Sequence, residues 1–364
     1  MNLVIDGNAF LNVSVNTVKQ LMRTDHLIGE KYWVDSLIDD GPILKDRAKV
    51  IFREFTLKYI HSIISSIHDL EYVYMPFDVK GENWRQKFIE TSKDERDIDY
   101  KGHRQYDENQ PLFYQYFKEE VLTEISNTNI MPLEMLGAEG DDLITRILEL
   151  DKSDFCIWSV DLDFCQLLSN SPRFIMLSTP KMSRKFKNVY TAENYKDSVS
   201  QKAQGFDIFN LNTTTNTDHI FEYTKKGYNH IEVNPNKELI TKLISGDKSD
   251  NIPRSHSKMT PKKVEFIVNL TIEEHPDFIQ KLDEDPVSML KFLAMHIGIL
   301  LKIKDENEIS ILKKALALNT RLMRLNSKFM PKELLSKIDE TIKTLSRNRY
   351  NNQSLKSKLI YARN

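Results

Sequence analysis

Phe155-Cys-Ile-Trp-Ser-Val160, followed at once by Asp161-Leu-Asp163, is the stretch that decides how the chain reads. A short apolar run of this kind predicts a buried strand, and here the strand ends on two acids. Phe164-Cys-Gln-Leu-Leu168 then begins a helix. Upstream, Gly137-Ala-Glu-Gly-Asp-Asp142 runs into Leu143-Ile-Thr-Arg-Ile-Leu148. Ile144, Ile147 and Leu148 recur at helical spacing, so Glu139, Asp141 and Asp142 fall in the first turn of an amphipathic helix. Acids in a first turn complement the helix dipole and the unpaired N–H groups, so this stretch alone reads equally well as a helix start or as a site.

The same grammar recurs further out. Asn2-Leu-Val-Ile5 predicts a buried strand that delivers Asp6, with Gly7-Asn8 as a turn. Arg47 to Asp69 predicts a long helix, and Glu71 to Asp78 a second strand ending on an acid. A carboxylate at the carboxyl end of a buried strand lies where open α/β sheets build their sites. Helix alternating with apolar strand predicts an α/β fold with a mostly parallel central sheet flanked by helices. Residues 111–126 predict a helix, and Phe174-Ile-Met-Leu177 another strand. The region from 191 to 236, rich in Asn, Thr, Lys and Tyr, shows no sustained periodicity and reads as an insertion. Glu238 to Ile244 is helical and stops at Ser245-Gly246, ahead of Asp247-Lys-Ser-Asp250. Thr260-Pro261 caps a helix to Leu270, and beyond Pro286 the pattern is helical to about residue 346. The expected division is an α/β core over 1–237 and a helical region over 238–364; no internal repeat is present.

Composition narrows the class. The 364 residues are 40% hydrophobic and 29% charged. No basic segment precedes the first apolar run, and no run approaches the roughly 18 to 20 apolar residues of a membrane span. A cytoplasmic protein is expected, and Cys156 and Cys165 are expected as buried free thiols. The net charge of −2 is uneven: from Arg321 onward the tail carries +8, against −10 for the first 320 residues. Such a tail is a solvated helix face or a binding arm for nucleic acid or a partner.

Nine acids stand at these element ends: Asp6, Asp78, Glu139, Asp141, Asp142, Asp161, Asp163, Asp247 and Asp250. Converging, they require cations, and an oxygen-only set without His or Cys selects hard ions such as Mg²⁺ or Mn²⁺. Two such ions can activate water and stabilise a leaving oxygen in phosphodiester cleavage. Without these nine acids the chain carries +7, which suits a polyanion. Between Lys80 and Gln110, Trp84-Arg85-Gln-Lys87 and Tyr100-Lys101-Gly-His-Arg104 place cations beside aromatics. This is either a surface loop or a substrate loop that meets phosphates and bases. No phosphate-binding glycine loop, H-E-x-x-H or zinc spacing is present, and His103 reads as an exposed loop histidine.

Taken in order, Val4-Ile-Asp-Gly-Asn8, Phe77-Asp78, Trp84-Arg85, Tyr100-Lys101-x-x-Arg104, Ala138-Glu-Gly-Asp-Asp142, Asp161-Leu-Asp163 and Gly246-Asp-Lys-Ser-Asp-Asn-Ile-Pro253 resemble the motifs of the 5′-nuclease (flap endonuclease) family. The resemblance spans roughly residues 2 to 270 and is nearest in kind to free-standing phage replication nucleases. It implies an α/β nuclease core with a basic helical arch or clamp over about 80–110 and a helix-hairpin-helix-like C-terminal region. It further implies a two-Mg²⁺ enzyme, with Mn²⁺ as a substitute, that removes RNA primers as a ribonuclease H and cuts 5′ flaps. The nine acids would be its metal ligands; Arg85 and Lys101 would act at the scissile phosphate, and Arg85, Lys87, Lys101 and Arg104 would hold the 5′ strand. Branched or primed DNA and RNA–DNA duplex would be its substrates. A single-strand-binding or other replication protein would be a partner of the basic tail, and the enzyme would act as a monomer in the host cytoplasm. One departure is that Arg254-Ser-His-Ser-Lys-Met-Thr260 lacks the family's glycine-rich turn, so duplex grip would fall to Arg254, Lys258, Lys262 and Lys263. A single-strand ribonuclease and an inactive structure-specific DNA-binding protein are the competing expectations.

Overall fold

The computed structural model describes residues 2–24, 33–35, 42–65, 70–92, 96, 98–102, 110–125, 129–153, 155–159, 161–168, 174–178, 188–191, 218–224 and 227–347. Arg104, His103, the basic stretch 181–187, residues 192–217 of the insertion and the tail from 348 lie outside the described residues.

In chain order the elements are β1 (Asn2–Ile5), α1 (Gly7–Thr24), β2 (Trp33–Asp35), β3 (Pro42–Leu44), α2 (Asp46–Ser65), β4 (Val73–Phe77) and α3 (Trp84–Ser92). Then come α4 (Gln110–Tyr116), running on through a π-helical turn at Phe117–Val121, β5 (Ile130–Glu134), α5 (Gly140–Leu150), β6 (Phe155–Trp158) and α6 (Cys165–Leu168). The chain continues with β7 (Phe174–Ser178), β8 (Asn188–Thr191), β9 (Asp218–Thr224), β10 (Gly227–Val233) and α7 (Pro235–Ser245). It ends with α8 (Pro261–Glu274), α9 (Phe278–Glu284), α10 (Pro286–Leu301), α11 (Glu306–Met323) and α12 (Lys332–Arg347).

The main sheet has the order β10-β9-β8-β7-β6-β1-β4-β5. From β5 to β7 every neighbour is parallel, with β1 between β4 and β6. From β7 to β10 the pairing is antiparallel, so part of the stretch read as an insertion extends the sheet. Its Asn, Thr and Tyr content hides the strands from a periodicity argument, because strand pairing rather than apolar alternation defines them.

Alternation along the strands assigns each residue to a face. Leu3, Ile5, Val73, Met75, Phe77, Cys156 and Trp158 pack into one core with α1, α2 and α4. Val4, Tyr74, Phe155 and Ile157 face the other way, onto α5 and onto Leu334, Ile338 and Ile342 of α12. Burial on both faces is why Phe155–Trp158 is continuously apolar. A third core, built from α7 to α11, also takes in Tyr100. Cys156 is buried as a free thiol, and no helix among the described residues is long and apolar enough to cross a membrane.

Two expectations change. Gly7-Asn8 is not a turn but the start of an 18-residue helix. Asp6 caps that helix, and a Cβ on Gly7 would stand 2.4 Å from the Phe77 ring, so only glycine lets α1 pass β4 this closely. Trp84–Lys87 is not loop but the first turn of α3, with Trp84 and Arg85 buried.

Candidate active site

The register brings Ile5 opposite Trp158, so Asp6 and Ser159 leave the sheet side by side. Asp6 is held as an N-cap: one carboxylate oxygen accepts the Ala9 N–H at 3.0 Å. The other accepts the Ser159 hydroxyl at 2.7 Å. Burial raises the Asp6 pKa to about 6, with repulsion from Asp161 and Asp78 added and the Ala9 and Ser159 donors opposing.

Asp78 follows β4, and its Oδ1 accepts the Gly140 N–H at the start of α5 at 2.6 Å. Desolvation in the cleft raises its pKa, and Glu139 raises it further. Asp141 stands well above the usual carboxylate range because of burial and then the nearby charges of Asp161 and Asp6. Asp161 is solvent-exposed and accepts the Asp163 N–H at 2.9 Å. Asp6, Asp78 and Asp161, at the carboxyl ends of β1, β4 and β6, and Asp141, in the first turn of α5, thus form one mutually repelling group.

The remaining acids are bridged by cations from the protein. Lys242 of α7 bonds Asp163 and reaches Asp247 at 2.7 Å. Burial and Asp161 raise the Asp163 pKa to about 6, against the pull of Lys242. Asp247 is pushed up by burial, but Lys242 and Ser249 prevail and hold it below its ordinary value. Lys101 bonds Glu139 at 2.6 Å and lies 4.0 Å from Asp250. The Tyr100 hydroxyl donates to Glu139 at 3.1 Å. Burial raises Glu139, yet Arg85 and Lys101 outweigh it and keep the acid below its usual range.

Asp142 and Arg85 differ from expectation. Asp142 accepts the Arg85 guanidinium at 2.8 Å, the Trp84 indole N–H at 2.8 Å and the Glu139 N–H at 3.0 Å. Three residues into α5 it closes a capping box, so its carboxylate turns back into the protein rather than toward Asp141. Arg85, 2% exposed, also bonds Glu139 at 2.9 Å and the Leu322 carbonyl at 3.1 Å. Its charge is spent on buried acids, and it faces α5 and α11 rather than a passing strand.

All donors here are oxygens, and Asp6, Asp78 and Asp141 carry more repulsion than the protein offsets, so the donor chemistry fits a hard divalent cation. Among the described residues, no three carboxylate, His or Cys side chains converge tightly enough to enclose one ion. Lys101 and Lys242 instead sit where positive charge is needed.

Beyond α7, Asp247 and Ile252 exchange backbone hydrogen bonds at 2.9 and 2.8 Å. Gly246, at φ 73°, would put a Cβ 2.2 Å from the Ile252 carbonyl oxygen. The glycine-free turn before α8 is held by His256, whose Nδ1 accepts the Lys258 N–H at 3.1 Å and whose Nε2 lies 2.9 Å from Glu308. Arg254, Lys258 and Lys262 are exposed and Lys263 half-buried around this turn; Lys87 is exposed and pairs Glu82 at 3.3 Å. A cavity of about 360 Å³ between α3 and residues 98–100 is lined by Glu82, Glu90 and Asp99, charges that repel phosphate.

Two residues of the site, Lys242 and Ser159, have no place in the sequence motifs. For Lys242 the available signal is a lysine five residues before Asp247, one helical turn and a half ahead of it. Ser159 has none, since its role depends on β1 and β6 pairing.

No protein-family model matches the chain, and no curated protein matches it in sequence. Among solved structures, a mutant of the bacteriophage T5 5′-exonuclease is similar over 94% of this chain and 98% of its own, at 15% identity and TM-score 0.47. The T5 5′-exonuclease with bound zinc is similar over 95% and 99%, at 16% identity and TM-score 0.48. A bacteriophage T5 flap endonuclease in a pseudo-enzyme–product complex with DNA and metal ions is similar over 95% and 100%, at 17% identity and TM-score 0.49.

Proposed function

We propose that the protein is a Mg²⁺-dependent phosphodiesterase acting from 5′ ends in DNA replication, removing RNA primers and cutting 5′ flaps on branched or primed duplexes. The observation that carries this reading is that Asp6, Asp78 and Asp161 at three parallel strand ends repel one another and Asp141 in the first turn of α5, so that burial and this repulsion raise the pKa values of Asp6, Asp78 and Asp141. A binding module gains nothing from such a cluster, whereas cleavage of a phosphodiester requires cations held beside the phosphate.

In this reading the oxygen ligands of two divalent ions would come from Asp6, Asp78, Glu139, Asp141, Asp161, Asp163, Asp247 and Asp250, drawn closer as the ions bind. When bound, such ions supply a nucleophilic hydroxide at neutral pH and a Lewis acid for the leaving oxygen. Lys101, 16% exposed at its side chain, supplies a cation at the mouth of the cleft that a phosphate can share with Glu139. Tyr100 holds Glu139 in place from below. Arg85 fixes Glu139 and Asp142 from behind, so α5 presents Asp141 at a constant position. Arg254, Lys258, Lys262 and Lys263 neutralise phosphates of the duplex arm, and Arg104 and Lys87 those of the 5′ strand. The proposed division is a nuclease core over 1–237 and a helical duplex-binding region after it, active as a monomer.

The test is single-turnover cleavage of a 5′-labelled flap and of an RNA-primed duplex in Mg²⁺, comparing the parent with Asp141→Asn and Asp161→Asn. Cleavage by the parent and a loss of at least about a hundredfold in both variants is expected. Variants that cut as fast as the parent would overturn the carboxylate assignment. Tight junction binding by the parent with no turnover in Mg²⁺ or Mn²⁺ would identify an inactive binding protein instead.

A further inference from the structure

Lys101 reaches Glu139 from a turn that the protein holds in an unusual shape. The Gly102 N–H returns to the Asp99 carbonyl at 3.1 Å, closing a four-residue turn. Lys101 occupies its third position with φ 60°, in the left-handed region. A lysine is poorly suited to that conformation, since it gains nothing locally to offset the clash of its Cβ. Something outside the turn must hold it.

The loop between Asp247 and Ile252 does so. The Lys101 N–H donates to the Asp250 carbonyl at 3.0 Å. The next residue along, Asn251, donates its side-chain amide to the Asp99 carbonyl at 2.9 Å, across 152 residues of sequence. Two consecutive residues of one loop thus clasp the first and third residues of the turn that carries Lys101. Asn251 is itself left-handed, with φ 58°. Asparagine tolerates this conformation as lysine does not, because its short polar side chain bonds locally.

We propose that Asn251 is a positioning residue for Lys101: it ties the loop bearing Asp247 and Asp250 to the turn at Asp99–Gly102, and so fixes the ammonium beside Glu139. This rests on the proposed function for its catalytic consequence, though not for its structural one. Arg254 and Lys258 follow Asn251 in the same loop, so a duplex gripped there is anchored within a few residues of the clasp. The bond belongs to the chemical step, since neither Asn251 nor the Asp99 carbonyl adds charge to a phosphate-binding surface.

The experiment compares the parent with Asn251→Gly and Asn251→Asp. Glycine keeps the left-handed backbone without steric strain and deletes the amide. Aspartate keeps the shape but turns the donor into an acceptor facing a carbonyl. Three quantities are read: single-turnover cleavage of a 5′-flapped duplex in Mg²⁺, affinity for the same duplex without metal, and the rate at which an amine reagent labels Lys101, followed by mass spectrometry. Both variants are expected to cleave about tenfold more slowly, because Lys101 is held less firmly beside Glu139. Duplex affinity should stay at the parent's value in Asn251→Gly, and Lys101 should be labelled faster in both variants. Parent-like cleavage and labelling in Asn251→Gly would overturn the proposal, as would a loss confined to duplex affinity. If the parent cuts no substrate, the proposed function fails, and the labelling arm alone decides the clasp: equal rates overturn it and faster labelling sustains it.

Discussion

Adjacent carboxylates in α5 have opposite fates. Asp141 faces Asp6 and Asp161 with no adequate counter-charge, while Asp142, one residue on, is 1% exposed and wrapped by Arg85, Trp84 and the Glu139 N–H. A helix turns about 100° per residue, so neighbours necessarily look in different directions. Removing charge at the two positions should therefore act in opposite senses on the metal-free protein. Asp142→Asn breaks a buried ion pair and should cost about 3 kcal/mol. Asp141→Asn relieves repulsion and should raise the melting temperature. Thermal melts of both variants in EDTA check this, and equal shifts of the same sign would show that the two acids share one environment.

Elements decide how the acids meet. Three parallel strands, β1, β4 and β6, end together, and the helices that follow β1 and β5 begin at the same rim. Burial and neighbouring acids raise the pKa values of Asp6, Asp78 and Asp141 there and of Asp163 beside them, to about 6 for Asp6 and for Asp163. A group whose folded pKa lies above its unfolded value of 3.8 favours folding most while both forms are protonated. That contribution is complete below the unfolded value and is lost as pH rises through the folded one. The metal-free protein should accordingly lose melting temperature between pH 4 and pH 6, a window bounded by the two values for Asp6. Glu139 and Asp247 are lowered and act in the opposite sense, at more acid pH. A divalent cation should abolish the decline, since it replaces the proton. Melts at stepped pH with EDTA and with Mg²⁺ measure both; a metal-free melting temperature that rises across this window would contradict the assigned shifts.

Across the molecule as a whole, charge is segregated. The acids gather at the strand ends, while Arg254, Lys258 and Lys262 are exposed on the turn leading into α8. A protein that binds a duplex through such cations releases counterions, and the logarithm of its affinity falls linearly with the logarithm of salt concentration. Replacing Lys262 and Lys263 by Met should reduce that slope by about 2 without changing base preference. Titrations of one duplex at several salt concentrations check it, and an unchanged slope would move the duplex to another face.

Much of this architecture is legible in the amino-acid order. Apolar runs closed by acids mark β1, β4 and β6 together with Asp6, Asp78 and Asp161, because an unbroken apolar run and the acid that ends it are both local features of the chain. Helix α1 is hidden because its N-cap, Asp6, also reads as a strand-end acid, and one residue can be both. Strands β8 to β10 are hidden because their pairing partners, not their own residues, define them.

Local sequence is thus enough to set the alternation of strand and helix, the collection of carboxylates and the chemistry they suit. Which acids stay open and which are neutralised is settled only by packing in three dimensions. Arg85 meets Asp142 across 57 residues, Lys101 meets Glu139 across 38 and Lys242 meets Asp163 across 79. No local pattern encodes such pairs, because the cost of an unpaired charge is set by burial, and burial exists only once the sheet, α3 and α7 have packed together.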